Sequence, residues 1–426
     1  MAHSSLLPII LLLFLFFPPS HQLQLQLHPT DYAALFDIHL MLRDLPGSTF
    51  FSTWDFPDGY NSSSSRPCQN FSGIVCSLAD DDESYLRVSV LTLGTGLADS
   101  PGLEGSLPPS LSNLTSLTDL VVYPGQVSGE IPSDLGARLR RLRLLSISRN
   151  RICGGIPASL AGLPDLHTLD LGYNRLEGQI PIPLLLPSST SLKVLILAGN
   201  GGLSGEIPPE FSAAQLLHLD LRGNSVFGGL PPIPSTLRYL SLSGNSMSGL
   251  LDSAFTLPLP DLEFLDLSSN NFSGAIPPVV FSLPRLSSIL LQRNKLSGGV
   301  ELAPPPPPPP PEWSVVDLSH NFLSGEVPAG LAAAGSLFLN DNRMTGVVPE
   351  EVVRMVFSGR MTTFYAQHNF LTAFPAPPLQ LPESVALCLS YNCMEIAFAD
   401  ASAGCPVSAG TLLSRPPYQC RGGGGG

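Results

Sequence analysis

Four aspartates share one local setting, with Leu or Val before and Leu after: Asp170, Asp220, Asp266 and Asp317. With eight histidines and seven cysteines they are the side chains here that could carry acid–base, metal or redox chemistry. Spacing argues against each. The aspartates recur two strands apart, on the order of 10 Å at ~4.8 Å per strand, too far for a cooperating carboxylate pair. His218 and His320 fall four strands apart and cannot share a metal. The cysteines form no Cys-x2-Cys pair of the kind zinc sites use. Gly94-Thr95-Gly96 lacks the third glycine of a dinucleotide loop, and no G-x-S-x-G, H-E-x-x-H, phosphate-loop or kinase sequence is present. The expectation is a protein with no catalytic residues, no metal ligands and no cofactor.

The strands that set those distances come from an asparagine that returns every 21–27 residues inside a phrase approximating Leu-x-Leu-x-x-Asn-x-Leu-x-Gly. It occupies Asn150, Asn174, Asn200, Asn224, Asn245, Asn270, Asn294, Asn321, Asn342, Asn369 and Asn392. No single unit of this length can bury its own leucines, so the units must stack, each adding a slice of one continuous core. Alternation along the strand points Leu169 and Leu171 inward, against Leu145 and Leu195 of the neighbours at the first position, and Thr168, Asp170 and Gly172 outward. The asparagine falls where the strand turns away, a place where its amide can satisfy backbone groups that no ladder reaches. A second phrase, Gly-x-(Ile/Leu/Val)-Pro, recurs in most of the units and suits an extended convex return, since proline fixes φ and lacks a donor.

Both phrases together resemble the plant-type extracellular leucine-rich repeats of receptor kinases, receptor-like proteins and polygalacturonase-inhibiting proteins, over roughly Val88 to Asn392. The resemblance implies an α/β solenoid, a right-handed leucine-rich-repeat superhelix with a concave parallel β-sheet and N- and C-terminal disulfide caps. Trp54, Cys68 and Cys76 after a helical stretch from Thr30 to Leu45 are similar to the plant N-terminal cap, with Asp31 as the helix-capping residue. That likeness implies a Cys68–Cys76 bridge. Cys388, Cys393, Cys405 and Cys420 resemble a C-terminal cap and allow three pairings, while Cys153 stands alone as a free thiol or an intermolecular bridge. The expected layout is a signal peptide at 1–20, an N-terminal cap at 21–84, a solenoid of about eleven to twelve repeats at 85–392, a cysteine cap at 393–420 and a glycine tail at 421–426.

The apolar run Leu6 to Phe17 is too short to span a bilayer and fits a secretory leader. No other stretch suits a membrane span, and the chain closes on Arg421 and five glycines, so no integral membrane segment or lipid-anchor signal is expected. Secretion to the extracellular space or cell wall follows, with N-glycans expected at Asn61, Asn70, Asn113 and Asn271. The formal charge of −13 disfavours nucleic acid and wall pectate and favours a neutral or basic peptide or protein. The acidic run at 80–83 reads as a solvated cap loop, and the eight prolines Pro304–Pro311 as a polyproline insertion on the convex side. Candidate ligand-binding residues on the concave face or its turn flank are Tyr123, Arg149, Asp170, Tyr173, Asp220, Arg222, Tyr239, Phe264, Asp266, Gln292, Arg293, Asp317 and His320. The aspartates among them could equally be ordinary solvated strand residues. The resemblance implies a secreted receptor-like protein that binds a peptide or protein and signals, or serves defence, with a membrane partner such as a receptor-kinase ectodomain. The alternative is an inhibitor of a microbial wall-degrading enzyme.

Overall fold

The computed structural model describes residues 25–420, apart from 58, 60–64, 80–83, 98–99, 187–190, 303–311, 395–404 and 411–413. The expectations for the leader at 1–20, Asn61, the acidic run at 80–83, Pro304–Pro311 and the glycine tail lie outside the described residues.

Among the described residues a 15-stranded sheet lines the concave side, with strands running from Gln26–Leu27 and Tyr85–Leu93 to Ala386–Cys388. All its pairings are parallel except that of Ile74–Leu78 in the cap. Thr168–Asp170 pairs in register with Leu144–Ser146 on one side and Val194–Ile196 on the other, which sets Leu169 opposite Leu145 and Leu195 as the alternation requires. All three leucines are fully buried, and so are their counterparts Leu219, Leu240, Leu265 and Leu337. Truncating one of these to alanine costs about 2–5 kcal/mol, because the stack cannot collapse around a hole in one slice.

The return segments hold more order than the sequence suggests. A second sheet of 13 strands, from Leu42–Asp44 to Phe370–Ala373, runs along the flank through the Asn-x-Leu-x-Gly phrases. Each strand buries one side chain, such as Ile152, Leu176 or Phe272, and leaves most of its neighbours wet. The recurrent proline follows and sits just before or within a short 3-10 helix, as Pro157 does ahead of Ala158–Gly162 and Pro277 ahead of Pro278–Ser282. Its fixed φ and missing donor suit that position.

The asparagines form a ladder between repeats. Asn270 Nδ2 donates to the Leu242 carbonyl of the preceding repeat at 2.9 Å and to its own Leu267 carbonyl at 3.2 Å, while Oδ1 accepts from the Met247 N–H at 3.0 Å. The same three-way pattern recurs from Asn150 to Asn392, with one exception. Asn224 Oδ1 is buried without a partner. The preceding repeat reads Asn200-Gly-Gly-Leu203 in place of Asn-x-Leu, and the extra glycine displaces the N–H that would have donated.

The caps correct two expectations. The N-terminal helix is Pro29–Met41, not Thr30 to Leu45, and His28 caps it by accepting from the Thr30 N–H through Nδ1. Pro29 at the first turn needs no hydrogen-bond acceptor, and Leu42–Asp44 leaves the helix to pair antiparallel with Leu103–Ser106. Asp31 is no cap residue. It is fully buried, pairs with Arg87 at 2.8 Å and accepts from the Val88 N–H at 2.8 Å, tying the helix to the first long strand. Beneath the helix Trp54 stacks on Phe71 with ring centroids 5.2 Å apart and donates through Nε1 to the Ser72 carbonyl. Cys68 bridges Cys76, and at the other end the pairs are Cys388–Cys405 and Cys393–Cys420. Cys153 is a free, half-buried thiol.

Candidate functional site

Side chains on the open face of the concave sheet fall into rows that follow the solenoid axis, because every repeat places the same phrase on the same strand. The row that opens each strand contains Leu144, Thr168, Val194, His218, Tyr239 and Phe264 on successive rungs. Its last three members stack face to face. The His218 and Tyr239 rings lie 4.1 Å apart at 1°, and Tyr239 and Phe264 lie 4.5 Å apart at 3°. Parallel strands ~4.8 Å apart set rings at stacking distance whenever planar side chains share a row. Tyr239 and Phe264 were foreseen as ligand-facing. His218 was noticed only as a metal candidate, although its place in the same row was the available signal.

The next row holds the four aspartates. Each turns one oxygen back onto its own strand end: Asp170 accepts from the Gly172 N–H, Asp220 from Arg222, Asp266 from Ser268 and Asp317 from Ser319, at 3.0–3.1 Å. The Ser268 and Ser319 hydroxyls add 2.6 and 2.7 Å bonds. Asp220 and Asp266 are buried outright. All four carboxylates terminate strands, while Asp170 and Asp317 remain half-buried. Burial pushes the Asp220 carboxyl above its ordinary value, against the pull of the Arg222 N–H and guanidinium, and burial does the same to Asp317.

Arg222 brings the rows together. Its Nε lies 3.3 Å from Asp220 Oδ2, and its charge acts on Tyr173, Tyr239 and His218. Burial first, and then Arg222, push the His218 imidazole below its usual value, so the ladder begins on a neutral ring at pH 7. Burial raises the Tyr239 phenol. Arg149 stands 4.7 Å over the Tyr173 ring, which extends the cluster toward the N-terminal repeats.

Arg149, Tyr173, Arg293 and His320 share a constraint that sequence reading missed. Each immediately precedes a ladder asparagine, and there the chain is left-handed, with φ from 54° to 57°. Ser269, Asp341, His368 and Tyr391 do the same, and Gly199, Gly223 and Gly244 fill the slot in three successive repeats. A side chain on Gly199 would strike the Tyr173 ring at 2.6 Å. The glycines therefore leave a bare strip of backbone between Tyr173 and Ser269, and the non-glycine residues accept a strained conformation to project outward.

The other foreseen residues lie outside this cluster. Tyr123 rests its ring on Gly96 near the N-terminal end. Gln292, Arg293, Asp317 and His320 lie farther along, where the Gln292 Oε1 is buried without a partner. His320 and His368 flank Asp341, at 3.6 and 2.8 Å from its two oxygens. His368 Nε2 also meets the Ala409 carbonyl at 3.1 Å, and Arg415 lies 4.1 Å from the Phe370 ring and 4.5 Å from that of Tyr391. Asp341, His368 and Tyr391 were not foreseen. Among the described residues no group of three or more His, Cys, Asp or Glu is placed to hold a metal. No helix there is long and apolar enough to cross a membrane.

The leucine rich repeat N-terminal domain matches residues 28–77, and leucine rich repeats match residues 141–163 and 235–296. The chain carries a leucine-rich-repeat domain. Receptor-like protein 39 of Arabidopsis thaliana is 30% identical to it over 273 residues, covering 58% of this chain and 30% of that protein. The chain spans 30% or 31% of the length of the first curated relatives it matches. The solved PEPR1–AtPEP1 structure shares its fold with a TM-score of 0.62 at 26% identity, covering 86% of this chain and 56% of that one. A plant ice-binding protein gives 0.57 at 25% identity, over 83% and 99% of the two chains. The leucine-rich-repeat domain is homologous to plant extracellular receptor-like proteins, in an architecture typical of non-catalytic receptors and binding proteins. Its disulfide caps are consistent with an extracellular setting.

Proposed function

We propose that this chain is a secreted leucine-rich-repeat binding protein that recognises a peptide or protein on its concave face and acts in extracellular signalling or defence with a membrane receptor partner. The observation that carries the reading is the aligned stack of His218, Tyr239 and Phe264 beside Arg222 and Tyr173. Planar rings with few torsions offer broad, amphipathic contact at little entropic cost, and aromatics with arginine dominate binding energy at interfaces. Solvated strand positions with no further role would gain nothing from three half-buried rings on open sheet. Homology to receptor-like proteins and the fold shared with PEPR1, solved with AtPEP1, support a peptide ligand and a receptor-kinase ectodomain as partner. The N-glycan positions fit this use: Asn271 is exposed on the flank sheet and Asn70 is exposed in the cap, so sugars there leave the concave face open.

The test is capture from plant extracellular fluid by the immobilised protein, read by mass spectrometry, in parallel with a Tyr239→Ala, Arg293→Ala variant. A peptide or ectodomain retained by the native protein and lost by the variant, with circular dichroism unchanged, is the expected result. Equal retention by both would remove the concave face from the account. Potent inhibition of a purified polygalacturonase would replace this reading with the inhibitor one.

A further inference from the structure

One row of exposed and half-buried side chains stands apart from the charge of the molecule as a whole. The residue immediately before each concave strand is Arg143, His167, Lys193, Leu217 and Arg238 on five consecutive rungs, followed by Glu263. Backbone hydrogen bonds stitch these positions directly together. His167 donates to the Arg143 carbonyl at 2.9 Å, Lys193 to His167 at 2.9 Å, Leu217 to Lys193 at 2.8 Å and Arg238 to Leu217 at 2.9 Å. The row is therefore a straight edge of the sheet, and four rungs at ~4.8 Å make it about 19 Å long.

Acids outnumber Lys and Arg 34 to 21 in this chain, and some cations have found carboxylates: Arg43 with Glu104, Arg87 with Asp31, Arg285 with Asp261. Among the described residues, Arg143, Lys193 and Arg238 form no ion pair, and Lys193 Nζ reaches only the Gln215 carbonyl at 3.1 Å. Alongside them the first outward row carries Leu144, Thr168, Val194, His218 and Tyr239, with no carboxylate. Carboxylates bound this stretch: Asp119 occupies the first outward row on the rung before Leu144, Asp165 is exposed two residues before His167, and the edge itself turns acidic at Glu263.

We infer that this edge docks an acidic stretch of an extended peptide, running along the solenoid axis with its remaining side chains against Leu144, Val194 and the ring ladder. The inference rests on the concave-face reading and gives its ligand a chemistry. An extended chain advances 3.3–3.6 Å per residue, so about 19 Å corresponds to five or six residues. Carboxylates along that stretch meet Arg143, Lys193 and Arg238, and a basic residue beyond it meets Glu263. The negative charge of the whole molecule still favours a ligand that is neutral or basic overall, since it governs approach from a distance, while the row fixes register at contact.

Fluorescein-labelled hexaglutamate is the probe, measured by anisotropy against the native protein and against an Arg143→Ser, Lys193→Ser, Arg238→Ser variant, whose altered positions lie outside the buried core. Native binding at low salt that weakens about tenfold in the variant, and weakens likewise as salt rises, is the expected outcome. Absence of binding by the native protein at low salt, or equal binding by the variant, overturns the inference. Tighter variant-sensitive binding of trigalacturonate than of hexaglutamate would assign the row to a polyuronide and also overturn it. A His218→Ala, Tyr239→Ala, Phe264→Ala variant separates the two levels, since it should keep hexaglutamate and lose the captured partner. If the hexaglutamate result fails while that variant still loses the partner, the concave-face reading stands without the acidic stretch.

Discussion

Between Arg149 and Phe264 the outward side chains of the concave sheet are held by one another and left open, whereas between His320 and Tyr391 the equivalent positions are tied into the C-terminal closure. Both stretches use the left-handed slot before the ladder asparagine to throw a side chain off the edge of the sheet. In the first the projected Arg149 and Tyr173 lie against each other, with Tyr173 also over Gly199 and near Arg222. In the second, His368 reaches the Ala409 carbonyl, and Tyr391 lies against Arg415, whose Nε donates to the Asn369 carbonyl at 2.6 Å. The same backbone device thus projects side chains that are free to serve the proposed recognition in the first stretch and that seal the fold where the chain turns back in the second. Residue type alone does not distinguish the two uses, because Arg, Tyr and His occur in both.

Four substitutions bear on that contrast. Replacing Cys388, Cys393, Cys405 and Cys420 by serine should loosen the C-terminal stretch by about 2–5 kcal/mol, seen as faster amide exchange over residues 363–394. Exchange over 144–266 should not change, and if it does, the two stretches are not separate. Replacing His218, Tyr239 and Phe264 together by alanine should cost about 100-fold in affinity for a captured partner while lowering stability by only about 1–3 kcal/mol. A larger loss of stability than of affinity, by calorimetry and titration, would make the rings scaffold. His368→Ala removes bonds to Asp341 and Ala409 and should cost about 1–2 kcal/mol locally, with partner affinity unchanged. Reduced affinity there would extend the binding surface into the sealed stretch.

The smallest effect concerns Asp220. Its folded value is raised above 3.8 by burial, so the ionised form is penalised in the native state, fully at neutral pH and no longer once the pH has fallen below 3.8. Asp220→Asn keeps an oxygen for the Arg222 N–H and should therefore raise Tm by about 1 °C at pH 7, with the advantage gone in acid. A lower Tm at pH 7 would show that the Arg222 pair outweighs burial.

Much of this architecture was readable from residue order. The period of the asparagines fixed the stacking, and the alternation around Leu169 and Leu171 assigned inside and outside. The flank sheet was not readable, because a strand such as Arg175–Gln179 buries one leucine among polar residues and shows no alternation. The strand-ending role of the aspartates was not readable, because it depends on a backbone N–H two residues on, which spacing cannot reveal. Asp31 looked like a helix cap because its partner Arg87 lies 56 residues away. The left-handed row did leave a trace. Gly199, Gly223 and Gly244 align with Arg149 and Tyr173, and a column that alternates glycine with bulky residues signals a backbone demand rather than a side-chain preference.

The asparagine ladder points one way. Every repeat from Asn150 onward reaches back to complete its predecessor, so the array has a finished side and an unfinished one, and the last unit would be left waiting for a successor. Here Ser414 bridges Asn392, the Arg415 N–H donates to the Asn392 carbonyl at 2.7 Å, and the Ser414 hydroxyl donates to the Met394 carbonyl at 2.9 Å. Those two residues close the flank of the last unit by a parallel bridge, where a further repeat would have laid its flank strand. Units can accordingly be added or removed in phase within the middle of the rod, but the stop must travel with whichever unit is last.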